Sequence, residues 1–498
     1  MVRQLLKRFA GLFMLTFAVS VLTTTAQARP WIEPSDQRAR HSVQYLADNG
    51  CLSAPVTTWP VMWADISPAL DRARGQCRDN EAARYLRFER NRTQNRDLHA
   101  EIGVSAANEE LLFRDAAGGP RERGEINLRA DWLTTNVAMG LSVHYAHDPR
   151  DDNELRFDGS YIAGMAGNWV IGVGANDRWW GPGQHSSLIL SNNARPIPAL
   201  WINRANSEAP QVTGLQWLGP WNLTVFNGVL ESGREVPEAM LFGARFAFKP
   251  HPALELGLNR SFKWGGRKQS RSFDVFRRCA TGNVPDSVGV VADPCDLRVG
   301  ADMRLTLPLG PESVSLYAQI MGEDEANLTP SNNLHLFGVE TTSSLWQGQQ
   351  RYYIEFVSNT VRGVFGDDDA PNQAYENDVY ATGHRFQGRA IASTWESDSR
   401  ATSLGLSHYF FSGAQVAAII SRVELNRDGT SPPRGERTDN LLLDAVDDQT
   451  VNVLTLRYQR PMLGGQVTLL TQQLSERIRA SQDEYSRQNV GVAYQYRF

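Results

Sequence analysis

The 498-residue chain predicts an all-β transmembrane barrel of about 18 antiparallel strands with a small N-terminal α-helical periplasmic domain. Three observations predict it. The C-terminus alternates strictly, with Val490, Val492, Tyr494, Tyr496 and Phe498 on one side and Gly491, Ala493, Gln495 and Arg497 on the other. This is the period of a strand with one apolar face, at about the length a tilted strand needs to cross a bilayer, and its aromatic end fits an interfacial girdle. The same alternation recurs through residues 99–498. The third observation is an export signal at the other end of the chain.

Arg3, Lys7 and Arg8 precede an apolar run from Phe9 to Leu22, and Ala26-Gln27-Ala28 supplies a small-x-small cleavage site. Residues 1–28 therefore read as a secretory signal peptide. Its removal takes three cations and no acid, moving the formal net charge from -5 to -8. An acidic mature chain is unsuited to sequence-independent phosphate binding, which excludes nucleic acid as a partner. With 41% hydrophobic residues and a mean hydropathy of -0.39, no later stretch approaches a membrane helix. A barrel remains compatible, because only alternate residues of its strands face lipid.

Residues 29–98 read as the helical domain. Ser35 or Asp36 caps a helix to about Asn49, with Ala39, Val43, Leu46 and Ala47 on one face and Gly50 as its stop. Ser67-Pro68 reads as a second helix start, and a third helix covers Glu81 to about Arg92. The arginines of these helices fit either a solvated surface or a face packed into a polar barrel mouth. Four cysteines in an exported chain imply two disulfides with three connectivities open; Cys51 with Cys77 and Cys279 with Cys295 each close a short loop.

Residues 99–498 carry the barrel. Ile126, Leu128, Ala130 and Trp132 alternate with Glu125, Asn127, Arg129 and Asp131, and Val137 to Tyr145 continues the pattern after a short turn. Charged residues in succession on the second face fit a polar lumen. Further strands are expected at Trp169–Val173, Leu254–Leu258 and Val299–Leu307. Short turns such as Pro308–Glu312 alternate with long polar loops, including Lys263–Asp296 and Asn426–Gln449. An even strand count would place both termini in the periplasm.

The least ordinary stretch runs Asn176-Asp177-Arg178-Trp179-Trp180-Gly181-Pro182-Gly183 and then Ser187 to Pro196, SLILSNNARP. Together with Thr58-Trp59-Pro60 and with Tyr375, Glu376, Tyr380, Gly383, His384, Arg385, Phe386, Gly388, Arg389 and Asp398, it resembles the Wzi-type capsule-assembly family. That family's hallmarks are the RWWGPG and SLILSNNARP run, a TWP element and a YEH...Y..GYRYRG...D region. Asn377 replaces the expected His, His384 the usual Tyr, and Gln184 an aromatic. The resemblance implies an outer-membrane lectin that holds capsular or related exopolysaccharide on a Gram-negative surface. The expected partners are that polysaccharide and outer-membrane lipid, with polysaccharide export machinery as a further candidate whose docking on the periplasmic domain the sequence leaves open. A monomer without a cofactor is expected.

The candidate carbohydrate-binding residues are Arg178, Trp179, Trp180, Asn192, Asn193, Arg195 and Arg385. Tryptophan faces stack on pyranose rings, Asn amides pair with hydroxyls, and guanidinium forks bind acidic sugars. The same tryptophans fit an interfacial belt, and the same Asn and Arg side chains fit hydrogen bonding from the lumen side. Gly181-Pro182-Gly183 reads as a sharp turn, and Gly172 and Gly174 as inward positions of close approach. His144, His147 and Asp148 lack a third metal ligand at recognisable spacing, His185-Ser186-Ser187 lacks a nucleophile elbow, and Asp367-Asp368-Asp369 lacks EF-hand spacing. No enzyme is read. The alternative function is a channel for oligosaccharides, suggested by the polar inward faces.

Overall fold

The computed structural model describes residues 29–94, 98–282, 294–309, 312–326, 329–362, 369–430, 445–480 and 484–498. The signal peptide expected at 1–28 lies outside them. Eighteen antiparallel strands close into one barrel. They are β1 Leu98–Ala107, β2 Gly124–Leu133, β3 Val137–His147, β4 Tyr161–Ala166, β5 Trp169–Gly174, β6 Ala199–Arg204, β7 Trp221–Val229, β8 Met240–His251 and β9 Leu254–Trp264. The circuit continues with β10 Cys295–Leu309, β11 Glu312–Ala326, β12 Thr329–Ser343, β13 Gly348–Arg362, β14 Arg400–Phe410, β15 Gln415–Leu425, β16 Gln449–Met462, β17 Gly465–Leu474 and β18 Gln488–Arg497. The C-terminal strand closes the ring by pairing with β1, Tyr494 opposite Val104 and Arg497 opposite Glu101.

The two faces of the wall differ as the alternation requires. Outward positions such as Leu128, Leu141, Val173, Leu258, Ile354, Leu404 and Val492 are exposed, an apolar band that water would penalise and lipid would cover. Inward positions are charged and paired. Arg245 holds Asp302 at 2.5 Å, Arg298 reaches Glu323 at 2.8 Å, and Arg304 pairs with both Glu340 and Asp48 of the N-terminal segment. Burying such groups without partners would be costly, and each has one. Gly172 faces Trp201 so closely that a Cβ there would meet the indole at 2.4 Å, so the expected close approach is to a side chain across the sheet.

Four helices precede β1: α1 Gln37–Asp48, α2 Trp63–Arg72, α3 Gln76–Asp79 and α4 Glu81–Gln94. Asp36 caps α1 by accepting the Ala39 N–H at 3.0 Å, and Gly50 follows its end at φ +69°. The start expected at Ser67-Pro68 is corrected: α2 begins at Trp63 and carries Pro68 inside it. Trp63, Ile66 and Leu70 are buried along one face, and that burial outweighs the hydrogen bond proline cannot make. Both local disulfides are formed, Cys51–Cys77 and Cys279–Cys295.

The helical segment is not a separate body beside the barrel. Arg40, His41 and Gln44 of α1 are buried, and His41 stacks on Tyr409 of the wall with ring centroids 4.2 Å apart. The exposed Arg84 of α4 keeps the solvated role. Arginines of this segment therefore serve both roles that the sequence leaves open.

Candidate functional site

The three motif stretches meet inside the barrel. Trp179-Trp180 forms an antiparallel ribbon with Thr58-Trp59, Trp179 opposite Trp59, and Trp180 bridges to Leu190 on its other side. The segment between β13 and β14 then closes over this ribbon. The Tyr375 hydroxyl donates to the Leu188 carbonyl at 3.0 Å, the Ser191 N–H donates to the Ile391 carbonyl at 2.9 Å, and His384 Nε2 lies 3.2 Å from the Ile189 carbonyl. Trp59, Trp179, Trp180, Trp395, Tyr375 and Tyr380 are all fully buried, so the barrel's centre is a packed core.

Two wall carboxylates fix that core, and sequence reasoning singled out neither. Glu355 on β13 accepts the N–H groups of Gln184 at 2.6 Å, Ser186 at 2.8 Å and His185 at 3.2 Å, and the Tyr317 hydroxyl at 3.0 Å. Glu255 on β9 accepts the N–H groups of Val56 and Thr57, each at 2.9 Å. Each gives a buried turn the hydrogen bonds its irregular backbone lacks. Their only sequence signal is an acid at an inward position, which a solvated lumen carries as readily. Gly181 sits at φ +126°, and at Gly183 a Cβ would meet the Ser186 carbonyl at 2.1 Å, so the turn requires both glycines.

Six of the seven residues singled out for carbohydrate contact are buried in this interior. Trp179 and Trp180 have no exposed surface, and the buried Arg40 guanidinium lies 4.9 Å from the Trp179 ring, with burial pushing its pKa down to about 10. Arg178 is buried over Phe226 at 4.7 Å. Asn192 donates to the Ala116 carbonyl at 2.8 Å and Asn193 to that of Ala390 at 3.1 Å. Arg385 is buried between Glu376 at 2.8 Å and Glu396 at 2.9 Å, and these carboxylates raise its pKa against the effect of burial. Arg195 is partly exposed, bonded to Asp151 and to Asp158 at 2.8 Å.

Arg195 lines a polar cleft with Arg121, Arg150, Gln387 and Arg389, and with Glu110, Glu122 and Asp151, and it borders a second one with Arg178, Asp177 and Ser191. The first cleft lies at the end of the barrel opposite the chain termini. Arg121 ties it to the motif, donating to the Asn193 carbonyl at 2.9 Å and the Asn192 carbonyl at 3.2 Å. Guanidinium forks beside carboxylates and an amide form a donor and acceptor set suited to hydroxyls and acidic sugars.

The residues weighed for catalysis are held otherwise. His144 lies inward, its Nδ1 2.7 Å from Glu125. The Ser187 hydroxyl donates to the Trp180 carbonyl at 2.5 Å, the Ser186 hydroxyl lies 3.0 Å from that of Ser393, and the His185 ring stacks flat on Trp395 at 4.7 Å. Of Asp367-Asp368-Asp369, only Asp369 lies within the described residues. Among the described residues no group of three His, Cys, Asp or Glu side chains is arranged to hold a metal ion.

The family model for the capsule assembly protein Wzi matches residues 94–494. An uncharacterized 55.8 kDa protein in the cps region of Klebsiella pneumoniae is 29% identical over 331 residues, covering 64% of this chain and 64% of that protein, so the chain spans just under two thirds of this curated relative. The fold is similar to that of Escherichia coli Wzi, with TM-score 0.79 and 19% identity over 94% of this chain and 100% of that one. That protein is described as an outer-membrane protein involved in group 1 capsule assembly and as a carbohydrate-binding β-barrel.

Proposed function

Because the chain belongs to the family of the capsule assembly protein Wzi, we propose that it is an outer-membrane lectin that anchors or organises capsular or related exopolysaccharide on the cell surface. The observation that carries this reading is the filled lumen. A family barrel whose centre is occupied by fully buried tryptophans and tyrosines is suited to present a surface rather than to conduct. The inward charges that suggested an oligosaccharide channel are taken up by the filling, as Arg304 is by Asp48 and Arg245 by Thr57, and the reading assigns no catalytic step.

In this reading residues 29–98 face the periplasm and are available to export machinery. Arg178, Trp179, Trp180, Asn192, Asn193 and Arg385 form the framework beneath the ligand surface. Arg195 belongs to the surface itself, with Arg121, Arg150 and Gln387 of the polar cleft, and the buried Arg389 supports them from beneath. Such a protein works as a monomer and requires no cofactor.

The test is binding of the purified, folded protein to surface polysaccharide from its native host, beside bilayer conductance. Saturable binding without steady conductance is expected, and a Gln387→Ala/Arg150→Gln variant should weaken it at least tenfold while keeping the barrel's folded mobility. Steady conductance without polymer binding would replace this reading with the channel.

A further inference from the structure

One helix lies on the lipid side of the wall. In β9 the inward residues include Asn259, Ser261 and Lys263, so Phe262 and Trp264 face outward; in β10 Asp296 and Arg298 face inward, so Cys295 and Leu297 face outward. Helix α5, Phe273–Thr281, rests on these outward residues. The Phe276 ring lies 5.1 Å from Trp264, 5.3 Å from Phe242 and 5.6 Å from Phe262. The Cys279–Cys295 disulfide clamps the helix there, and Arg260 donates to the Cys279 carbonyl at 2.6 Å.

At about 3.4 Å per residue and about 40° tilt, Phe262 stands about 21 Å above Leu254 along the barrel axis. This is near the upper edge of an apolar band about 25 Å tall, at the depth of the outer headgroups. The outer side of the helix and of the segment that leads into it is basic. Arg277 and Arg278 share Asp274 at 3.0 and 2.8 Å, and Arg267 and Arg271 share Glu238 at 3.3 and 3.6 Å. Lys268 is exposed between them, and the ring of Phe273 is 77% exposed. Among the described residues of this lobe, five cations face two carboxylates.

We propose that this disulfide-clamped lobe binds the phosphate groups of an outer-leaflet lipid headgroup, so that the barrel holds surface lipid at one edge. An apolar face against the wall, a projecting aromatic ring and surplus guanidinium groups at headgroup depth match an interfacial lipid contact. Polymer seated over the barrel mouth would meet the top of the wall, whereas this face looks sideways into the leaflet.

The test uses the full-length protein in detergent with a diphosphorylated glucosamine-disaccharide lipid (lipid A), its dephosphorylated counterpart and inorganic phosphate as competitor, read by native mass spectrometry. The phosphorylated lipid should be retained at least tenfold more tightly than the dephosphorylated one, and millimolar phosphate should not displace it. An Arg271→Gln/Arg277→Gln/Arg278→Gln variant with unchanged heat-modifiable mobility should lose that preference. Equal retention of both lipids, or unchanged preference in the variant, would overturn the proposal. So would displacement by inorganic phosphate, marking a free-anion site, or by soluble acidic polysaccharide, marking a polymer site.

Discussion

Replacing Glu355 by Ala should release the 184–190 turn from the wall while leaving the barrel closed. In the folded protein this 1%-exposed carboxylate accepts three backbone N–H groups and the Tyr317 hydroxyl. Leaving a buried donor unsatisfied costs about 1–3 kcal/mol. The three amides alone therefore put the loss near 3 kcal/mol at the low end, after which the turn opens to water. At about 1.4 kcal/mol per factor of ten, local opening should become at least a hundredfold more frequent. Native-state hydrogen exchange of residues 183–191 reads this directly, because amide protection reports local opening free energy. Heat-modifiable mobility checks the wall. Glu355→Gln keeps one acceptor oxygen in place of two, so its effect should fall between wild type and Ala. Unchanged protection in the Ala variant would refute the reasoning that the carboxylate seats the turn.

Four further outcomes follow. Burial is the larger influence on His185 and holds its pKa down to about 4, against the attraction of Asp115. An unfolded histidine titrates near 6.5, so His185 contributes stability that is complete above that pH and declines as pH falls toward 4, by up to about 3 kcal/mol. Exchange protection of residues 183–191 should fall across that window in wild type and much less in His185→Gln. Gly172→Ala should lower the thermal transition of the barrel by the equivalent of about 1–3 kcal/mol, because Trp201 is held 5.5 Å from Trp31 and has little room to yield. Gly103→Ala, whose Cβ would meet nothing closer than 3.7 Å, should be near neutral in the same melt. Trp180→Ala should cost about 3–5 kcal/mol of core packing, measured by denaturant unfolding, and should weaken polysaccharide binding only as far as it disturbs Asn192 and Asn193 beneath the cleft.

The wall was legible because its period of two is local. Every inward and outward assignment for β2, β3 and β10 can be read from neighbouring letters, and a lipid-facing surface enforces them. Both disulfide pairings were also favoured by loop length. What the letters concealed was how distant stretches meet. Nothing in Thr58-Trp59 states that it pairs with Trp179-Trp180, more than a hundred residues on. The motif was conspicuous for its chemistry, and tryptophan, asparagine and arginine suit a sugar as well as a buried polar core. The structure places six of the seven candidates deep and leaves Arg195 at a cleft. Glu255 and Glu355 were hidden for the converse reason, since a carboxylate among many inward charges looks like any other.

The 175–198 segment leaves the wall at Gly174 and rejoins it at Ala199, and those two residues are opposite one another in adjacent strands. This part of the lumen's filling is thus hemmed at both ends into the same point of the wall. Its ribbon with Thr58-Trp59 and its bond from Ser191 to Ile391 make a continuous chain of backbone hydrogen bonds from the helical end to the opposite one. A pull on the helices is therefore a load on the far rim, transmitted through main chain that water does not reach.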